Sequence, residues 1–179
     1  MRIFLAFLPN IVILNQVESI KNKLKEHCES GNYTEKNNLH VTLIFIGDVN
    51  EVQLRNVKKI LHQTAFAPFS IKLKAIKSFE TKGKGDVFFI DVFKTSILED
   101  IYKFLFEKLN NSGFNIQNRE YLPHLTLGRK VVLNKPDDLV LLNSSFKGLS
   151  FQTNRISLME SVRIDDELIY REIDQAELK

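Results

Sequence analysis

Two histidine–threonine pairs are the residues of this sequence best suited to do chemistry. His40 and Thr42 lie two residues apart, and so do His124 and Thr126, each pair in a run of alternating β-favouring residues. Side chains two positions apart in a strand project from the same face. Each run is therefore predicted to present an imidazole and a hydroxyl together, with the alternate residues turned into a core.

Cleavage of a phosphodiester is the chemistry that two such pairs suit. It needs a proton removed from an attacking hydroxyl or water and a proton delivered to the leaving oxygen. Histidine titrates near ~6.5, so a neutral and a protonated imidazole can coexist near neutral pH and act as base and acid. The threonine hydroxyls can donate hydrogen bonds to the non-bridging oxygens as charge builds there. This scheme requires neither a metal nor another cofactor.

The histidines also allow structural and metal-binding roles. A single histidine on a strand is more often structural than catalytic. The two matched histidine–threonine pairs are what favours a catalytic role here. A zinc site is the next alternative, but Cys28 is the only cysteine and no helix carries two histidines at ligand spacing. His27 and His62 fall on predicted helices without a partner residue, so they are assigned to surface or packing roles, and Cys28 is assigned to the core face of its helix.

The elements that carry the two pairs occur in the same order in both halves of the chain. Each half begins with a buried strand, continues with a capped helix that ends at a glycine, and then reaches its histidine strand and a short helix. The first series is a strand over 2–8, a helix from Asn10 to Gly31, a strand over 38–46 and a helix over 50–63. The second is a strand over 87–92, a helix from Thr95 or Ser96 to Gly113, a strand over 122–132 and a helix from Pro136.

This order indicates an internal duplication, with repeats of about 1–80 and 86–175 inside a single bilobal domain over 1–179. Duplicated halves usually pack about a pseudo-twofold axis, by the logic that makes homodimers symmetric. The two histidine–threonine pairs are therefore expected to face one shared cleft.

The composition describes an ordinary globular protein and excludes several other classes. With 44% hydrophobic and 26% charged residues, the chain is neither disordered nor fibrous. A lone cysteine excludes an internal disulfide, so a reducing cytoplasm is the expected compartment. The apolar start is interrupted by Pro9 and Asn10, so a buried strand is predicted there and not a signal peptide. No run approaches the ~20 apolar residues of a membrane span, and a net charge of +3 permits an anionic ligand without demanding one.

Arg129 and three lysines are the remaining candidates for binding a phosphate. Strict alternation turns Arg129 away from the histidine face, unless Gly128 forms a bulge that redirects the guanidinium; a surface role is equally supported by spacing alone. Three lysines alternate with apolar residues and are predicted to form the exposed face of an edge strand, with steering of a polyanion as the alternative: Lys72, Lys74 and Lys77.

The two histidine motifs, at 38–43 and 123–129, resemble the paired motifs of the two-histidine phosphoesterase superfamily. The chain is most similar to its RNA 2′,3′-cyclic phosphodiesterase branch, also called 2′-5′ RNA ligases. The similarity includes the opening strand at 2–6 and a closing hairpin with residues 157–161 and Tyr170. One departure is Leu122, which stands where many relatives carry a basic residue and leaves a second cationic phosphate contact unassigned.

The resemblance implies a bilobal α+β fold in which two antiparallel sheets line a central cleft, with helices outside. It also implies metal-free hydrolysis of a terminal RNA 2′,3′-cyclic phosphate to a 2′-phosphate, with reversible 2′-5′ RNA ligation as a related activity. Carried over to this chain, the roles are His40 as proton donor, His124 as proton acceptor, Thr42 and Thr126 as phosphate holders and Arg129 as a substrate-binding residue.

Two further functions stay open, and a monomer is expected in each case. One is hydrolysis of linear 2′-5′ oligonucleotides or other small cyclic phosphodiesters by the same residues. The other is a non-catalytic module that binds RNA ends, against which the intact histidines and threonines of both motifs argue.

Overall fold

The computed structural model describes residues 1–179, which form nine strands and four α-helices. The helices are α1 (Ile11–Glu26), α2 (Glu51–Leu61), α3 (Ser96–Asn111) and α4 (Asp138–Ser145). The strands are β1 (Arg2–Phe7), β2 (Cys28–Tyr33), β3 (Val41–Asp48), β4 (Phe69–Phe79), β5 (Asp86–Val92), β6 (His124–Leu133), β7 (Leu149–Thr153), β8 (Arg155–Ile164) and β9 (Glu167–Glu177).

Side-chain caps confirm the predicted starts of the first three helices. The Asn10 carboxamide oxygen accepts a hydrogen bond from the Ile13 amide, and the Thr95 hydroxyl accepts one from the Leu98 amide. A capping box in which Asn50 is the N-cap opens α2. Each cap satisfies an amide that the first helical turn would otherwise leave without a partner.

The strands form two antiparallel half-sheets that meet at one point. The order is β7-β4-β5-β6 in one half-sheet and β3-β1-β8-β9 in the other, and β2 pairs with β6. A single pair, Val41 with Leu125, joins β3 to β6 and makes the hydrogen bonding continuous across both. The predicted α+β fold with two antiparallel sheets is thus confirmed, with the added finding that the two sheets touch edge to edge.

The two half-sheets exchange strands between the halves of the sequence. β4, at the end of the first half, pairs with β5 and β7 of the second half, and β8 of the second half pairs with β1. The exchange makes each half-sheet depend on both halves of the chain. That the halves arose by duplication within a single bilobal domain stays a prediction.

The stretch from Cys28 to Tyr33 corrects the predicted end of the first helix. The helix ends at Glu26, and Gly31 lies inside β2 instead of capping α1. A Cβ atom on Gly31 would lie 2.9 Å from Cγ2 of Val131 on β6. The glycine is there because two strands approach closely, a use of glycine that a single sequence does not distinguish from a helix stop.

A second correction concerns β4, which is an interior strand and not an edge. Its neighbours are β5 on one side and β7 on the other. The alternation of buried and exposed residues along β4 was predicted correctly. The pairing was not, because β7 comes from a region some seventy residues further along the chain.

A core of 36 buried residues packs the helices against the outer face of the sheet. Val41 and Leu43 of β3 are buried in it, as are Leu125 and Leu127 of β6. Because side chains alternate along a strand, burial of these residues turns the histidines and threonines to the opposite face. None of the four helices combines the length and the apolar character needed to cross a bilayer.

Candidate active site

A cleft of about 1020 Å³ lies on the inner face of the sheet. Its lining includes all five residues that the sequence singled out: His40, Thr42, His124, Thr126 and Arg129. The strand register explains why the two motifs match. Thr42 lies opposite Ala6 of β1 and Thr126 lies opposite Phe89 of β5, so equivalent strand pairs support the two hydroxyls.

Both imidazoles are held by a hydrogen bond to the backbone carbonyl two residues earlier in the chain. The Nδ1 atom of His40 lies 2.7 Å from the Asn38 carbonyl oxygen, and Nδ1 of His124 lies 2.7 Å from that of Leu122. A carbonyl only accepts, so each Nδ1 carries a proton and donates it. The remaining Nε2 of each ring is therefore the atom available for acid–base chemistry.

Asn38 connects the His40 anchor to the closing hairpin. Its side-chain amide donates to the Leu168 carbonyl at 2.6 Å, and its carboxamide oxygen accepts from the Tyr170 amide at 3.0 Å. Both bonds reach β9, more than a hundred residues away. Asn38 thus positions His40 through its own backbone carbonyl.

Replacement of Asn38 by alanine is expected to lower stability by roughly 1–3 kcal/mol, because two partly buried backbone groups of β9 lose their partners. We also expect kcat to fall by about ten-fold, since the carbonyl that orients His40 is no longer held in place. Thermal unfolding and steady-state kinetics measure the two effects. N56A, on the exposed face of α2, is the control, and wild-type values for N38A would contradict the positioning role.

Aromatic rings surround both histidines. The His40 ring lies 4.9 Å from that of Phe4 and 5.2 Å from that of Tyr170. The His124 ring lies 5.4 Å from Phe79 and 5.2 Å from Phe89. These contacts fix the rings and replace water around them, which disfavours the protonated imidazole.

The pKa of each imidazole is lowered below its ordinary value, chiefly by burial. The charges of His124 and Arg129 lower the pKa of His40 further, against the opposing effect of the Asn38 carbonyl. For His124, Arg129 again lowers the pKa, while the Leu122 carbonyl and the Asp91 carboxylate raise it. Both imidazoles are therefore biased towards the neutral form while the cleft holds no anion, and an anion beside them favours protonation.

A bulge in β6 brings Arg129 into the cleft. Thr126 pairs with Phe89 and Gly128 with the next residue, Phe88, so β6 has an extra residue at Leu127 and its alternation shifts just before Arg129. A second irregularity follows at Lys130, whose φ of 53° lies in the left-handed region, where a lysine is strained. The bulge predicted at Gly128 is thus confirmed.

Lys130 supplies a second cation, since it lines the cleft beside Arg129. The sequence left this contact unassigned because Leu122 lacks a charge. Leu122 instead contributes its backbone carbonyl to His124, and its side chain is 49% exposed.

The surroundings of the two imidazoles differ in one respect that the motifs do not show. His40 Nε2 lies 3.0 Å from the Thr42 hydroxyl oxygen, whereas His124 Nε2 has no hydrogen-bond partner within the protein. Asp91 lies directly across the strand pair from His124. One imidazole thus shares its free nitrogen with a hydroxyl, and the other has an open nitrogen and a nearby carboxylate.

The other candidates from the sequence lie away from this cleft. His27 pairs with Asp138 at 3.3 Å and His62 with Asp174 at 3.2 Å, so each has the acidic partner that the sequence did not indicate. Cys28 is half-buried in β2, and its thiol donates to the Leu24 carbonyl. No three His, Cys, Asp or Glu side chains lie together in an arrangement that could hold a metal ion.

Sequence reasoning missed the supports of the site more than its reactive groups. Phe4, Asn38 and Asp91 all contact or orient a histidine, yet each belongs to an unremarkable local pattern. Asn38, two residues before His40, was the accessible signal, because short polar side chains there often organise the backbone.

The chain matches known proteins over nearly its whole length. Residues 9–165 match the model of the 2′-5′ RNA ligase superfamily. An RNA 2′,3′-cyclic phosphodiesterase of Methanocaldococcus jannaschii is 30% identical over 98% of this chain and 99% of the relative. One of Archaeoglobus fulgidus is 29% identical over 97% and 98%.

Solved structures agree on the fold. Escherichia coli LigT in its apo form covers 99% of this chain, over 96% of its own length, with a TM-score of 0.78 at 19% identity. A Thermus thermophilus protein covers 99% of this chain, over 98% of its own length, with a TM-score of 0.81 at 18% identity. The paired motifs, the cleft and the full-length match agree, and this chain belongs to the 2′-5′ RNA ligase superfamily.

Proposed function

We propose that this protein is an enzyme that hydrolyses the terminal 2′,3′-cyclic phosphate of RNA to a 2′-phosphate, by acid–base catalysis with two imidazoles and without a metal. The observation that carries the proposal is the matched anchoring of His40 and His124. Each ring is tied at Nδ1 to a carbonyl, which leaves two Nε2 atoms for a single cleft. The curated relatives that match nearly the whole chain are named RNA 2′,3′-cyclic phosphodiesterases.

In the proposed reaction, His124 Nε2 takes a proton from a water as its oxygen attacks phosphorus. The bond from phosphorus to the 3′-oxygen breaks, and His40 Nε2–H delivers a proton to that oxygen. The products are a 2′-phosphate and a free 3′-hydroxyl. Thr42, Thr126 and Arg129 bind the non-bridging oxygens, where charge develops in the transition state.

The different surroundings of the histidines support this direction of proton transfer. When His40 is neutral, the Thr42 hydroxyl donates to Nε2; once His40 is protonated, that hydroxyl is free to donate to the phosphate. His124 has an open Nε2, and Asp91 stabilises the imidazolium that forms when a proton arrives there. The negative substrate compensates for the burial that disfavours protonated His40.

The test is incubation of the purified protein, with EDTA present, with an RNA that ends in a 2′,3′-cyclic phosphate. We expect loss of the cyclic end and appearance of a 2′-phosphate, identified by phosphorus NMR. A 3′-phosphate product would overturn the assigned proton transfer, and a strict need for added metal would overturn the mechanism. Ligation through a 2′-5′ bond stays a prediction, detected in the same assay by adding an RNA with a 5′-hydroxyl.

A further inference from the structure

A row of basic and aromatic side chains extends the histidine face beyond the cleft. Lys77 pairs across strands with Phe89, and Phe89 pairs with Thr126, so the three side chains share one face of the sheet. Asp91 pairs with His124. Its carboxylate contacts the ammonium of Lys77 at 2.8 Å and that of Lys74 at 3.4 Å, which places both lysines on the face of the catalytic pair.

Solvent-exposed rings lie beside these lysines. The Lys74 ammonium sits 5.3 Å from the centre of the Phe93 ring, which is 49% exposed. Phe79 is 37% exposed and stacks on Phe89 at 4.1 Å. Together these residues form the lysine–aromatic face, which comprises Lys72, Lys74, Lys77, Phe79 and Phe93.

The face keeps a net positive charge after its internal pairing. Asp91 neutralises one of the three lysine charges, and Lys72 is exposed and forms no ion pair. A sheet face on which two or more large rings and two uncompensated charges remain in water is unusual unless it binds something.

We propose that the lysine–aromatic face binds the single-stranded RNA that leads to the cyclic phosphate; the inference rests on the proposed function. Single-stranded nucleic acids bind where cations follow the backbone and aromatic rings stack on bases. β4 lies two strands from β6, a separation of roughly 10 Å at ~4.8 Å per strand. None of the three lysines lines the cleft, so their ammonium groups suit the nucleotides that precede the terminal phosphate.

The same lysines could attract an acidic protein, but RNA fits the observations better. Phe79 contacts His124 directly, so the face runs without interruption into the site where the RNA end reacts. An acidic protein surface would use the charges and leave this continuity and the stacking rings without a role.

The inference is tested by binding of product RNAs that end in a 2′-phosphate, from a mononucleotide to an octanucleotide. For the wild type we expect affinity to rise with length and to fall with salt. K72A/K74A should lose most of the gain with length and reduce the salt slope of log K by about 1.4, at ~0.7 for each phosphate contact. F93A should weaken octanucleotide binding by roughly ten-fold. The matched control K59A/K103A removes two exposed lysines from the outer helices and should bind as the wild type does.

Turnover of a 2′,3′-cyclic mononucleotide separates this inference from the proposed function. K72A should hydrolyse it at the wild-type rate, because Lys72 neither lines the cleft nor pairs with Asp91. If the wild type hydrolyses the mononucleotide but its affinity for RNA does not rise with length, RNA binding by the lysine–aromatic face is contradicted and the proposed function is not. If the wild type does not hydrolyse the mononucleotide, yet binds longer RNAs more tightly in a way that K72A/K74A abolishes, the proposed function is contradicted and RNA binding by the lysine–aromatic face is supported. An equal loss of RNA affinity in K59A/K103A would contradict RNA binding by the lysine–aromatic face, since affinity would then depend only on the total charge of the protein.

Discussion

Replacing His124 by glutamine is expected to lower kcat for cyclic phosphate hydrolysis by ~10²–10⁴, and His40→Gln by a similar factor. Glutamine retains a polar side chain of similar reach but cannot take up or release a proton near neutral pH. In the proposed mechanism the imidazoles act in one step on opposite sides of the phosphate, so the double variant should be little slower than either single variant. Single-turnover kinetics of the three variants measure these effects.

The control for the histidine variants is His62→Gln. His62 is exposed beside Asp174 and lies outside the cleft, so H62Q should keep wild-type kcat. Thermal unfolding must show each cleft variant to be folded. A folded H124Q or H40Q that retains more than a tenth of wild-type kcat would contradict acid–base roles for these residues.

Replacing Thr126 by valine is expected to lower kcat by ~10²–10³ with little change in stability. Valine keeps the β-branched shape that suits β6 but removes the hydroxyl that would bind the developing charge on phosphate. Thr126→Ser restores a hydroxyl and should recover most of the activity. Steady-state kinetics on the three proteins make the comparison.

Thr42→Val has an additional expected consequence because its hydroxyl also bonds to His40. T42V should lower kcat and also displace the limb of the pH profile that His40 controls, whereas T126V should leave the profile in place. Equal behaviour of the two valine variants would show that the Thr42–His40 bond has no role in proton transfer.

The reactive residues were accessible from the sequence because strand periodicity is short-ranged. Side chains two positions apart in an extended chain share a face whatever the strand pairs with. Placing His124 with Thr126 in β6, and Thr42 of β3 with His40 just before that strand, therefore needed no knowledge of the fold. Their meeting in one cleft could be predicted as well, since repeated elements tend to pack symmetrically. Arg129 required the bulge at Leu127–Gly128, which local spacing only suggested.

The supports of the site could not be predicted because they depend on long-range pairing. Asp91 faces His124 only through the register of β5 with β6, and Asn38 reaches β9 across more than a hundred residues. The position of β4 is set by β7, which comes from the other half of the chain. Gly31 satisfied the pattern of a helix stop equally well, although it allows β2 and β6 to approach. Such features belong to tertiary structure and have no local signature.

The central claim, two imidazoles in opposite protonation states, is tested most directly by the pH dependence of kcat/KM on a 2′,3′-cyclic phosphate substrate in EDTA. One imidazole must be protonated and one neutral, so we predict a bell-shaped profile. Burial and Arg129 lower both pKa values in the free enzyme, and a lowered pKa means that the imidazolium loses its proton at lower pH. The alkaline limb should therefore begin below ~6.5, the ordinary value for histidine. The kcat profile should lie at higher pH, because bound phosphate raises both pKa values. A profile of kcat/KM that is flat from about pH 5 to 9 would contradict the two-imidazole mechanism.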